Sequence, residues 1–320
     1  MKKRYIVTLA TSTLLLVLTM TACSKPTTTN TPNQESRELT KAPPSLAPTS
    51  ALPETSKTVT SKPSKPPSPV AKEVKFSDFK NALFAYSNEK GDKLITIGEN
   101  IGGQNPQIFN VAVGENGKQI DIHYKELQKP KSINPNQNAY NFDKNQGHIY
   151  LVDTTLLLPN TSYILLQKKE FPGDVFAKFK NTDPKEELDK NILDRFKSKY
   201  SREVKKAWNI AENEDGTKIH FVLYQQKDKD ALAALVLSTK TGMVYKSLPA
   251  TYDNGSAWRV DDGGEIGPQQ FGILFAAKTS EGAVLAVTWD GVEGQNIMLL
   301  TEKNTDFIEA LMGSRYWGAM

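Results

Sequence analysis

The chain has 320 residues, of which 38% are hydrophobic, a length sufficient for one large or two ordinary globular domains. Its net charge is +4, but the positive charge gathers before residue 73 and leaves the remainder slightly acidic, which argues against a nucleic-acid partner. Cys23 is the one cysteine, so no disulfide can form within the chain and the fold must depend on core burial.

The chain begins with a basic and then an apolar segment. Lys2, Lys3 and Arg4 precede the uncharged stretch 5–20, which is shorter than the roughly 20 mainly apolar residues of a membrane-spanning helix. This order, followed by small residues, is typical of a secretory signal peptide, here over residues 1–22. The tetrapeptide Met20-Thr21-Ala22-Cys23 resembles the lipobox of bacterial lipoproteins, with Met20 where that family usually has Leu.

The lipobox resemblance implies a lipidation site. In bacterial lipoproteins the lipobox cysteine receives a diacylglyceryl group and becomes the N-terminus after cleavage, and here that role would fall on Cys23. Acylation would leave the mature chain without a free thiol, which excludes thiolate metal ligands and a cysteine nucleophile. The alternative is an ordinary secretory signal in which the cysteine is accidental.

Residues 23–73 are predicted to form a disordered tether. More than half of residues 24–72 are Ser, Thr or Pro, and such a composition cannot bury enough apolar surface to offset the loss of chain entropy. We expect a stalk that holds the following domains away from the membrane, within reach of cell-wall polymer or an envelope protein. A linker with no spacing role is the alternative.

Residues 74–181 are predicted to form an all-β domain. The clearest signal is a hairpin, in which residues 109–113 and 120–124 alternate in hydrophobicity on either side of Asn116-Gly117. The stretch Leu157-Leu158-Pro159-Asn160-Thr161-Ser162-Tyr163 weakly resembles a signature near the last strand of bacterial immunoglobulin-like modules, which implies a β-sandwich. A turn followed by an aromatic strand would give the same letters.

Residues 182–320 are predicted to form an α+β domain, so that the fold class is α+β and mainly β. A helix begins with Asp183 as N-cap and Pro184 at its first position, and Glu186 completes a capping box. Its apolar stripe recurs every four residues from 188 to 208, so it either wraps around a curved partner or breaks near 198–201 into two helices. An antiparallel meander follows, and 305–312 is predicted as a short final helix.

Three short patterns follow the order of the motifs that mark serine β-lactamases and penicillin-binding proteins. By that resemblance Ser77 would be the acyl-forming nucleophile and Lys80 would activate it. Ser132 and Asn134 would act in proton transfer and substrate contact, and Lys240 would bind the substrate carboxylate. The context opposes this enzyme, because Ser77 directly follows the tether and residues 94–180 have the pattern of strands where that family has helices.

Other candidate sites have ordinary structural interpretations. The three histidines are far apart in sequence, and we interpret them as surface or half-buried strand residues rather than metal ligands (His123, His148 and His220). The acidic turn 261–265 is interpreted as solvated, since it lacks the ligand alternation of a calcium loop. Some aromatic side chains could instead form a stacking surface for carbohydrate or peptide (Tyr252, Trp258, Trp289, Tyr316 and Trp317).

These observations together predict a non-enzymatic binding or interaction module on a stalk. We expect it to be anchored to the lipid bilayer through acylated Cys23 and to face away from the cytoplasm, on a Gram-positive cell surface. No nucleotide, cofactor or metal is predicted, because no phosphate-binding loop or dinucleotide fingerprint is present. A penicillin-recognising acyl-transfer enzyme is the alternative, and a solute-binding lipoprotein is disfavoured by the lack of βα alternation.

Overall fold

The computed structural model describes residues 72–129, 136–172, 174–183, 188–253, 257–258 and 265–318, all within one compact unit, Pro66–Met320. The predicted signal peptide, Cys23 and nearly all of the tether lie outside the described residues, as do Ser132, Asn134 and the helix-capping positions 184–186. The predicted mainly β fold is confirmed. Within the described ranges, no helix combines the length and apolar character needed to cross a bilayer.

The first six strands form a closed antiparallel barrel, here called the small barrel, in the order β1-β2-β5-β4-β3-β6. The predicted hairpin is its β3–β4 unit, and Glu115, Asn116 and Gly117 all take positive φ at the tip. The strands are β1 Leu83–Ser87, β2 Lys93–Thr96, β3 Val111–Gly114, β4 Lys118–Gln128, β5 Gly147–Val152 and β6 Ser162–Leu166.

The small barrel differs from the predicted sandwich because its sheet closes on itself through the β1–β6 pairing instead of splitting into two sheets. The stretch that resembles the immunoglobulin-like signature is instead a turn followed by a strand, the alternative given above. The turn lies at residues 159–160 and leads into β6. Short 3₁₀ helices connect and flank the strands of the structure (Phe76–Phe79, Pro106–Ile108, Ala139–Lys144, Lys168–Glu170 and Pro268–Gln270).

The remaining strands form one large sheet in the order β7-β13-β14-β15-β16-β12-β11-β10-β9-β8. Two four-stranded meanders, β9–β12 and β13–β16, meet where Tyr245 and Asp306 pair in parallel. The elements are β7 Phe176–Ala177, β8 Lys180–Asn181, α1 Lys190–Tyr200, β9 Val204–Glu212, β10 Lys218–Tyr224, β11 Asp230–Ser238, β12 Met243–Thr251, β13 Phe271–Thr279, β14 Gly282–Asp290, β15 Gly294–Lys303 and β16 Asp306–Tyr316.

The large sheet curls until its two ends meet. Its end strands, β7 and β8, are separated by only residues 178–179, and they pair with β13 and β9 respectively. The enclosed face carries an apolar core that includes Phe221, Leu235 and Leu285. Outside the sheet, α1 buries Phe196 against β10 and β12, as the apolar stripe predicts.

A second apolar core joins the small barrel to the large sheet. Val111 and Val113 on β3 pack with Phe275 on β13 and Leu299 on β15. The two parts therefore belong to one compact unit, and the change between them lies near residue 175 rather than 181, because β7 and β8 already belong to the large sheet.

Two predicted helical segments are strands. The segment predicted as a final helix is β16, which pairs with β15 along most of its length. The apolar stripe from 188 to 208 does break within the predicted 198–201, where Ser201 takes the left-handed conformation, but the second half is β9 rather than a helix. There Val204 packs under α1 while Trp208 joins the enclosed core.

Candidate functional site

Of the five penicillin-enzyme candidates, the structure describes Ser77, Lys80 and Lys240. Ser77 lies exposed on the 3₁₀ helix Phe76–Phe79, Lys80 lies exposed directly after it, and Lys240 lies exposed in the turn between β11 and β12. Lys240 lines a large cavity, and Ser77 is not among the residues that line it. Ser132 and Asn134 lie outside the described residues.

The three histidines lie in different environments. His123 on β4 is exposed, and its Nδ1 is 2.5 Å from Asp153 Oδ1. His148 on β5 is buried, with its Nε2 3.1 Å from the carbonyl oxygen of Glu99. His220 on β10 is fully buried against Phe196. Across the described part of the chain, no group of three or more His, Cys, Asp or Glu residues is placed to hold a metal ion.

The aromatic candidates divide between core and surface. Trp258 and Trp289 pack against the enclosed core, and the indole N–H of Trp258 donates to the Leu248 carbonyl at 3.2 Å. Tyr252 and Tyr316 are exposed, whereas Trp317 is half-buried over the guanidinium of Arg315. Of the acidic turn, only Glu265 is described, and it forms ion pairs with two lysines (Lys205 and Lys206).

A large cavity lies at one end of the large sheet, and we call it the mouth cavity. Its volume is about 1150 Å³. The hairpin turns of β9–β10, β11–β12, β13–β14 and β15–β16 all contribute to its wall. Its floor consists of side chains from the enclosed core, among them Leu237, Val244 and Ala276. The cavity is therefore the open end of the curled sheet.

The rim of the mouth cavity is polar and carries both signs of charge. Its basic side chains are Arg195, Lys199, Lys240 and Lys278, and its acidic ones are Asp174, Asp194, Asp215 and Glu302. Several hydroxyl groups stand between them (Ser198, Thr217, Thr239, Thr241, Thr279 and Thr305). An apolar floor under such a rim suits a molecule with an apolar end and a polar or charged end.

Helix α1 forms one side of the rim and is held firmly against the sheet. Lys199 Nζ is 2.8 Å from Asp306 Oδ2 and 2.8 Å from Thr305 Oγ1, and it lies 5.1 Å from the ring centroid of Tyr245. Phe196, one turn earlier, is fully buried beneath the helix. On β15, Glu302 accepts a hydrogen bond from the Ala283 backbone N–H at 2.8 Å.

The mouth cavity was missed from the sequence, although one signal for it was present. In an antiparallel meander, alternate turns lie at the same end of the sheet. The turn residues Asp215-Gly216, Thr241-Gly242 and Glu281-Gly282 are every second connection, so they gather at one end. The curling that places all of them around a single opening depends on the β7 and β8 pairings, which no local pattern indicates.

Comparison of the chain with protein-family profiles, with curated proteins and with solved structures finds no match.

Proposed function

We propose that this protein is a lipid-anchored binding protein of the bacterial cell envelope. Cys23 carries the anchor, the Ser/Thr/Pro-rich segment 23–73 spaces the folded unit from the membrane, and the mouth cavity takes an amphipathic small molecule. The observation that supports binding most strongly is the cavity itself, about 1150 Å³ with an apolar floor and a charged rim at the end of a curled sheet. The open ends of such β structures are frequent ligand sites.

The mixed rim favours an amphipathic ligand over a purely apolar one. Lys240, on the β11–β12 turn, and Lys278, near the end of β13, are exposed on the rim, where they can meet an anionic head group. Leu237 and Val244 below them supply apolar surface that stays dry once a ligand tail covers it. This arrangement supports binding, and we assign no reaction to it.

The cavity assignment is tested with a bulky substitution on its wall. Gly242 lines the cavity, its φ is not positive, and no heavy atom lies within 4 Å of an added Cβ. We expect Gly242→Trp to fill the opening and weaken saturable binding of the fluorescent probe 1-anilinonaphthalene-8-sulfonate by at least about tenfold, or about 1.4 kcal/mol.

A matched control is available at the opposite end of the sheet. Gly291 also lies in a hairpin turn without positive φ, and a Cβ there would meet only ordinary contacts. Gly291→Trp should bind the probe like the unmodified protein. Equal probe affinity in both variants, with circular dichroism showing that both are folded, would refute the assignment of the mouth cavity as the binding site.

The anchor is tested separately in cells. We expect Cys23→Ser to abolish incorporation of radiolabelled palmitate and to release the protein from the membrane fraction, because the attached acyl chains supply the membrane affinity. Persistent palmitate labelling in this variant would exclude Cys23 as the lipidation site. Such a result would leave the cavity measurement unaffected, so the two parts of the proposal can fail independently.

A further inference from the structure

A second cavity, here called the lateral cleft, lies between the small barrel and the large sheet. Its volume is about 560 Å³. One wall consists of polar side chains at the ends of β14, β15 and β16, namely Asp290, Gln295 and Arg315. Phe271 on β13 supplies apolar surface, and Asn160 belongs to the loop before β6. None of these residues lines the mouth cavity.

Arg315 is a buried cation whose acceptors are all neutral. The residue is only 2% exposed, and its guanidinium lies about 5 Å from the ring centroids of Tyr86 and Trp317. Nη1 and Nη2 donate to the side-chain and backbone oxygens of Asn160 at 2.9 and 2.6 Å, and Nε donates to Gln295 Oε1 at 3.2 Å. Guanidinium has five N–H groups, so two have no acceptor among the described residues.

Asp290 is the complementary anion, and it is not paired with Arg315. Its Oδ1 accepts from Gln295 Nε2 at 2.7 Å, and its other oxygen has no hydrogen bond within the described ranges. Burial raises the pKa of this carboxyl, while the Gln295 bond and the nearby Arg315 charge oppose the rise. The two charged groups are farther apart than the 4.0 Å of an ion pair.

Gln295 holds the two charges apart. Its oxygen accepts from Arg315 and from the buried Ser162 hydroxyl, and its nitrogen donates to Asp290. If Arg315 stood alone, a purely structural role would explain it, since its hydrogen bonds link β16 to Asn160. That role gives no reason for a partly buried carboxylate beside it. Burying charges without a charged partner is costly, and a bound molecule of complementary charge offsets that cost.

We propose that the lateral cleft binds a small zwitterion, an α-amino acid or a short peptide with free ends. The ligand carboxylate would accept from the remaining N–H groups of Arg315, a geometry that guanidinium favours. Its ammonium would donate to the free oxygen of Asp290, and its side chain would pack against Phe271. This site is separate from the mouth cavity and does not depend on the proposed function.

The test is isothermal titration calorimetry of the full-length chain with the dipeptide L-alanyl-L-alanine. We expect saturable binding, and at least about tenfold weaker binding of the N-acetylated and the C-amidated dipeptides, since each lacks one charge. Asp290→Asn keeps an oxygen that can accept from Gln295 but removes the charge. This variant should lose at least about tenfold in affinity for the free dipeptide, equivalent to about 1.4 kcal/mol.

Asp121→Asn provides a matched control, because Asp121 is an exposed carboxylate paired with Lys168 on the small barrel and does not line the cleft. It should bind the dipeptide with unchanged affinity. The proposal is overturned if the folded protein shows no saturable heat with the free dipeptide, if the three dipeptides bind equally, or if Asp290→Asn binds as tightly as Asp121→Asn. Thermal unfolding of each variant establishes that it is folded.

Discussion

At the scale of single residues, two buried basic side chains differ in whether their nitrogens have hydrogen-bond partners. Arg315 keeps three hydrogen bonds, whereas both ring nitrogens of the fully buried His220 lack a partner among the described residues. The pKa of His220 is lowered from 6.5 to about 4, mainly by burial and to a smaller extent by the positive charge of the neighbouring Lys218. His220 is therefore a neutral imidazole enclosed between β10 and α1, where Phe196 contacts it edge-on.

His220 should make the protein sensitive to acid. Between about pH 6.5 and pH 4 the unfolded chain takes up a proton at this residue while the folded protein does not, so stability falls as the pH falls. The full loss is about 3 kcal/mol, since one pKa unit corresponds to about 1.4 kcal/mol. The residue contributes no such loss above pH 6.5.

The substitution His220→Leu tests this expectation. Leucine has a similar volume and no polar atoms, so we expect stability at pH 7 to stay equal or rise, because no unsatisfied nitrogen remains buried. Urea denaturation at pH 7 and pH 5 should show a smaller acid loss in the variant than in the unmodified protein. Identical losses in the two proteins would show that His220 is not the source.

The sequence indicated only part of this residue-scale picture. His123 is exposed as predicted, but His148 and His220 are buried rather than half-buried, because both faces of β5 and β10 are covered. A strand with one solvent face can be recognised by the alternation of apolar and polar residues. Strand β10 is apolar at nearly every position, so its pattern does not indicate whether His220 faces solvent. Likewise, nothing local to Arg315 indicates that the small barrel covers it.

At the scale of elements, local patterns predicted the strands well where turn chemistry supported them. The β3–β4 hairpin was predicted because Asn116 and Gly117 accept positive φ, and the structure confirms the turn. The final segment was predicted as a helix from a capping residue followed by Glu, Ala and Leu, all good helix formers. Pairing with β15 overrides that weak preference and makes the segment β16.

At the C-terminal end of helix α1, strand pairing likewise overrides the local sequence pattern. Ser201 takes φ 49° and ψ 45°, and its backbone N–H donates to the Lys197 carbonyl, so the helix stops there. Its periodic apolar spacing continues into β9 because residues four apart also share a face of a regular strand. A β-bulge in the β9–β10 pairing, at residues 223–224, then separates Val204 from Trp208. Such bulges depend on the partner strand, which explains why the sequence pattern failed to locate the change.

At the scale of the whole molecule, the two parts are joined by the tip of the β3–β4 hairpin. Asn116 N–H donates to the Ile273 carbonyl at 3.1 Å and Gly117 N–H to the Leu274 carbonyl at 2.7 Å, where a bulge in β13 interrupts its pairing. Asn116 in turn accepts from the Phe179 N–H at 3.0 Å. The hairpin tip of the small barrel thus fills the seam between β13 and the β7–β8 segment.

Gly117 is the position at which this junction should be most sensitive. Its φ is +96°, and an added Cβ would overlap the carbonyl oxygen of Ala177. Gly117→Ala therefore combines a left-handed backbone penalty of about 1–2 kcal/mol with displacement of the tip from the seam. We expect a loss of unfolding free energy clearly above 2 kcal/mol, together with faster limited proteolysis near the seam.

Gly103→Ala separates the two contributions. Gly103 also has positive φ, +73°, but no heavy atom lies within 4 Å of an added Cβ, so only the backbone penalty applies there. Its loss should stay at about 1–2 kcal/mol, with unchanged proteolysis at the seam. If the two variants lose equal stability in urea denaturation, the close approach of Gly117 to Ala177 adds nothing to the backbone penalty, and the expected sensitivity of the junction at Gly117 is wrong.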